Sequence, residues 1–188
     1  MDRYLELGLE RTLEYLIDYE KVDDSSLEAR LVSLDLDLNE KRQDQQRWWL
    51  LRMIYTQRPL QEKMVLFWHG FLTSAFSKVG RGPRMYNQNQ LYRANALGPF
   101  NALLKSISRD PAMLIWLDSR RNKKVAPNEN FSRELMELFS MGEGTFSETD
   151  VREAARAFTG YFLTQKGFSF RDRQRGSPRI LSRGCAHR

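Results

Sequence analysis

Between Lys63 and Lys78 lies a run of fourteen residues without a formal charge, Met64 to Ser77, interrupted by His69, Gly70, Thr73, Ser74 and Ser77. A bilayer-spanning helix needs about 20 apolar residues, so this stretch is too short to cross a membrane and reads as a buried core helix. Met64, Val65, Trp68, Phe71, Leu72, Ala75, Phe76 and Val79 occupy most of a helical circumference. The pattern predicts one helix from Pro59 to Lys78, opened by proline in its first turn and surrounded by the remaining elements.

The flanking segments carry narrower stripes. Leu5, Leu9, Leu13, Leu16 and Ile17 recur at helical spacing, Leu27, Leu31 and Leu34 suggest a short second helix with an acidic exit, and Trp48, Leu51 and Tyr55 a third. Met85 to Ile107 is helical in pattern, with a kink or break expected at Gly98 and Pro99. Asp110 before Pro111, Asn128 before Glu129, and Ser147 three residues before Asp150 have the form of helix N-caps, the last a capping box with Phe146 placed as a hydrophobic staple on Val151. The last stripe is Val151, Ala154, Ala155, Phe158 and Phe162. No alternating run is long or β-branched enough to propose a sheet. The expected fold is all-α, a compact orthogonal bundle of about seven helices over residues 1–165, forming an incomplete domain, followed by a basic tail at 166–188.

Charge is unevenly distributed. Residues 166–188 hold seven basic groups against Asp172 alone, which accounts for the whole net charge of +6. Residues 1–44 hold 6 basic and 13 acidic groups, and residues 45–128 hold 14 and 3. A basic middle neutralised by its own acidic flanks is the favoured reading over an exposed polyanion-binding face. Zinc-finger, homeodomain and RNA-platform signatures are missing, which argues against nucleic-acid recognition. Cys185 is the single cysteine, so neither a disulfide framework nor a thiolate metal site is expected. The amino-terminal segment places Asp2, Arg3, Glu6 and Glu10 where a secretory signal needs an apolar core, so the protein is cytoplasmic or its leader is missing.

Ala126 to Gly144 reads Ala-Pro-Asn-Glu-Asn-Phe-Ser-Arg-Glu-Leu-Met-Glu-Leu-Phe-Ser-Met-Gly-Glu-Gly, and Glu148 to Gly160 continues Glu-Thr-Asp-Val-Arg-Glu-Ala-Ala-Arg-Ala-Phe-Thr-Gly. With Lys63 to Ser74 and Gln88 to Gly98 upstream, this closely resembles the bacterial domain-of-unknown-function family 1800, over about residues 4 to 173. The resemblance implies a longer, often exported protein and carries over no activity and no cofactor. In two places the chain departs from it. Phe71 stands where the family commonly has a second histidine, and Arg175 to Arg188 replaces the family's continuation, as a frameshifted or chimeric end would.

Three constellations could carry chemistry. His69, the one histidine outside the tail, sits on the central helix; a lone histidine there is more often a core residue than a metal ligand, and no metal site is expected. As a catalytic group it would act as a general base with a carboxylate from another helix, Glu129 or Glu134. Glu129, Arg133 and Glu137 step by four, and an intrahelical ion-pair ladder is their plain structural account. Arg120, Arg121, Lys123 and Lys124 precede the helix opened by Asn128, and together they could hold a small anion, although such loops are usually just solvated. The reading is a protein of unassigned activity, with three alternatives: a hydrolase-like enzyme using His69 with Glu129 and Glu134; a scaffold module binding an acidic partner through Arg81, Arg84, Arg120, Arg121, Lys123 and Lys124; and, last, nucleic-acid binding.

Overall fold

The computed structural model describes residues 2–80, 82–119, 122–164 and 167–171. The fold is predominantly helical, as the periodicity requires, with ten α-helices and one small hairpin among the described residues. The chain divides into two compact units between Leu103 and Leu104.

In the first unit, α1 (Asp2–Ile17) is interrupted at Gly8, whose φ of 72° and ψ of 172° are non-helical. A 3-10 turn (Tyr19–Lys21) leads to α2 (Ser25–Ser33), which buries Leu27 and Leu31 against Trp48 of α3 (Arg42–Tyr55). The buried Asp24 ties these helices together, its carboxylate accepting from Thr56 Oγ1 and from the Gln57 backbone N–H, both at 2.8 Å. Arg52 of α3 pairs with Glu28 of α2, one link between the acidic amino-terminal segment and the basic middle.

The central segment departs from expectation in two ways. It is two helices, α4 (Pro59–Phe71) and α5 (Phe76–Val79), because the backbone leaves helical geometry at Leu72 (φ −95°, ψ 59°) and the intervening Ser74 turns inward to donate to Gln88 Oε1. Its circumference is also not enclosed: Gln61, Glu62 and Val65 are buried, while Leu66, Phe67 and Phe71 are 46%, 53% and 41% exposed. Two polar residues take inward positions that an apolar count assigns to hydrocarbon. The helix packs on α6 (Gly82–Ala94), and Trp68 donates its indole N–H to Ala96 O at 2.9 Å. The break expected at Gly98 and Pro99 falls between α6 and α7 (Phe100–Ile107).

The second unit realises all three capping signals. Asp110 accepts from Met113 N at the start of α8 (Pro111–Trp116), Asn128 accepts from Asn130 N at the start of α9 (Glu129–Glu137), and Ser147 and Asp150 form the reciprocal capping box of α10 (Glu148–Ala157). α9 and α10 pack together, burying Phe131, Leu135, Val151 and Ala155.

The absence of a sheet is corrected by β1 (Tyr161–Thr164) and β2 (Gly167–Phe170), an antiparallel pair with Tyr161 opposite Phe170 and Thr164 opposite Gly167. α10 therefore ends before Phe158, and Phe162 belongs to a strand instead of the helical stripe. Gly160 makes the reversal: its φ is 97°, and a Cβ there would meet Arg171 O at 2.7 Å. Edge-on contacts of Tyr161 with Phe158, Phe168 and Phe170, at 5.1 to 6.0 Å between ring centres, hold the hairpin. Strands of four residues are too short to register as alternation. The carboxy-terminal segment from Asp172 lies outside the described residues, and with it the reading of that segment as a frameshifted tail.

Candidate functional site

A cleft of about 270 Å³ opens in the first unit between α3, α6 and the Ser74–Phe76 connection. α3 supplies Arg42, Gln45, Gln46 and Trp49, spaced so that they share one helix face, and α6 supplies Met85, Tyr86 and Asn89. His69 of α4 lines it as well, with Ser74 and Phe76.

A buried polar spine fixes the cleft. Glu62 is held by Arg93 in a two-pronged ion pair, Nε to Oε1 at 2.6 Å and a terminal nitrogen to Oε2 at 2.9 Å. Glu62 Oε2 also accepts the indole N–H of Trp49 at 3.2 Å. The Trp49 ring in turn meets His69 edge to face, 5.1 Å between centroids and 84° between planes. Tyr92 lies on another side of the imidazole at 6.3 Å and donates its hydroxyl to Leu72 O at 2.6 Å, where α4 ends. His69 is thus oriented by rings, and burial among them lowers its pKa and favours the neutral imidazole. The Arg52 and Arg93 guanidinium groups each lie over the Trp48 ring, 5.0 Å from its centre. Burial, followed by the charge of Arg93, pushes the Arg52 pKa down.

Several polar groups of the cleft are already engaged. Gln45 Nε2 donates to Leu38 O and Gly82 O, and Ser74 to Gln88. Asn89 is different: it is 7% exposed, and its buried Oδ1 has no partner. A buried carbonyl oxygen left unpaired costs roughly 1–3 kcal/mol, and Asn89 is among the residues that line the cleft. The described residues lining the cleft include one cation, Arg42, and no carboxylate.

The remaining sequence-derived candidates fall in the second unit. Arg133 makes a two-pronged pair with Glu148 of α10, at 2.8 and 2.6 Å, and a longer one with Glu129 at 3.7 Å. The expected ladder to Glu137 is replaced by this interhelical pair, which raises the Arg133 pKa and lowers that of Glu148. Glu134 is half-buried on α9. Glu129 and Glu134 therefore sit near Arg133, whereas His69 belongs to the first unit.

Asn128 is a structural hub. Its Oδ1 caps α9, its Nδ2 donates to Asp118 O at 2.9 Å and Leu117 O at 3.5 Å, and its backbone N–H donates to Asn122 Oδ1 at 3.0 Å. Lys123 and Lys124 are exposed, Lys123 in a two-way backbone bridge with Ala126, and Arg120, Arg121 and Arg81 lie outside the described residues. No group of metal-ligating side chains assembles among the described residues, and no described helix is long and apolar enough to cross a membrane.

The cleft does not follow from the apolar stripe of α3, Trp48, Leu51 and Tyr55; its signal in the sequence is Arg42, Gln45, Gln46 and Trp49 at helical spacing.

Fold and cleft define a predominantly helical chain of two units, the first carrying a polar cleft walled by aromatic rings. The chain belongs to the family described as "Protein of unknown function (DUF1800)", whose family model matches residues 1–183. That match extends past residue 173, where the motif resemblance ended. No curated protein and no solved structure matches it.

Proposed function

We propose that the first unit is a binding module for a small polar molecule, received in the cleft between α3 and α6. The observation that carries this reading is the unpaired, buried Oδ1 of Asn89 in a lining that also holds the neutral imidazole of His69. Binding sites of this kind combine apolar walls with a few directed polar groups, and here Trp49, Tyr86 and Phe76 are the walls. A fragment screen read by NMR tests it on the full chain. Ring compounds bearing hydroxyl or amide groups are expected to shift the His69 imidazole and Trp49 indole resonances together. A library whose hits leave both signals unmoved would refute the reading.

The alternative is a hydrolase-like activity, with His69, Glu129 and Glu134 as its candidate groups. Its support is the neutral imidazole facing a cleft. If either carboxylate acts with His69, Glu129→Gln or Glu134→Gln is expected to move the His69 titration. An unchanged His69 titration in both variants removes this alternative. Binding of an acidic macromolecular partner is tested by salt-dependent retention on an anionic matrix.

A further inference from the structure

We infer that the cleft takes a hexuronate, a pyranose ring bearing one carboxylate, an inference that rests on the binding reading above. The walls require a ligand with an apolar face. Trp49 of α3, Phe76 of α5 and Tyr86 of α6 all line it. The C–H face of a pyranose satisfies an aromatic wall while its hydroxyls point to the sides.

The polar groups select hydroxyls over other donors. Asn89 carries an unpaired carbonyl oxygen, which accepts, and a neutral His69 has one donor and one acceptor nitrogen. A hydroxyl both donates and accepts, so it pairs with any of these groups. An ammonium group only donates, and the cleft gives it no carboxylate to offset its desolvation. Amino acids and amines are disfavoured on that ground.

The charge follows from Arg42. Its guanidinium lies over the Phe76 ring at 5.7 Å and forms no ion pair with a described residue. Because the lining holds this cation and no acidic side chain, a carboxylate on the ligand meets attraction without repulsion.

Isothermal titration of the full chain with D-glucuronate, D-glucose and L-phenylalanine tests the inference. Glucuronate is expected to bind at least tenfold more tightly than glucose, and phenylalanine not at all. Arg42→Gln, a change at an exposed side chain, is expected to remove the preference for glucuronate. Methyl glucuronide separates the sources: binding equal to that of glucuronate indicates a glycan chain end, and loss of binding indicates the free sugar. Equal affinity for glucose and glucuronate, tighter binding of phenylalanine, or an Arg42→Gln variant that keeps the preference would each overturn the hexuronate assignment. If glucuronate fails while fragments still shift His69 and Trp49, only this assignment falls. If neither glucuronate nor fragments bind, the binding reading falls with it.

Discussion

Glu62 and Arg93 meet between α4 and α6 as an ion pair with both prongs engaged and side chains only 4% and 10% exposed. The same carboxylate holds the Trp49 indole, so this pair links the packing of two helices to the wall of the cleft. Glu62→Gln or Arg93→Met strands a partner in a water-poor interior, and each is expected to cost about 3–5 kcal/mol in denaturant unfolding. The apolar double variant Glu62→Leu, Arg93→Met is expected to be far closer to wild type than the sum of the single changes. Additive losses would show that the two groups act independently.

His69 sets a pH dependence of stability. Its folded-state pKa lies below the ordinary value because burial disfavours the imidazolium. The unfolded chain then binds the proton first as pH falls below about 6.5, and stability is lost from there down to the depressed folded value. Unfolding midpoints measured from pH 7.5 downward should decline through that window, and His69→Gln should flatten the decline. An identical slope in the variant would assign the effect to other groups.

Asn128 does two separable jobs, capping α9 and fastening the end of α8 through the carbonyls of Leu117 and Asp118. Asn128→Ser keeps a cap acceptor but is too short to reach those carbonyls, and should cost about 1 kcal/mol. Asn128→Ala loses both and should cost about 2 kcal/mol. Chemical denaturation ranks the two variants, and equal losses would mean that the fastening contributes nothing.

Gly82 begins α6 pressed against the turn at residues 38–40, between α2 and α3. A Cβ there would lie 2.9 Å from the Asn39 carbonyl carbon and 2.9 Å from Gln45 Nε2. Backbone cannot yield cheaply, so Gly82→Ala is expected to destabilise by about 1–3 kcal/mol. The displaced Gln45 lines the cleft, so ligand-dependent shifts at Trp49 should weaken too. A thermal midpoint equal to wild type would show that the turn relaxes freely.

The features legible in the amino-acid text are those whose causes are local. Asp110, Asn128 and the Ser147–Asp150 box act on backbone groups two or three residues away, so spacing alone locates three helix starts. Helical stripes such as Val151, Ala154 and Ala155 likewise report the buried face of their own segment. His69 stood out as a lone histidine on an apolar helix.

Only tertiary structure decided where α4 stops, which of its faces is covered, and what surrounds His69. Ser74 turns inward because Gln88 receives it, and Glu62 is buried because Arg93 arrives from another helix; neither partner can be read from the segment itself. The hairpin at Tyr161–Phe170 depends on pairing across a reversal at Gly160, and the cleft on three helices brought together. Spacing along the chain encodes contacts within one element, whereas desolvation of a charge or an amide depends on every element packed around it.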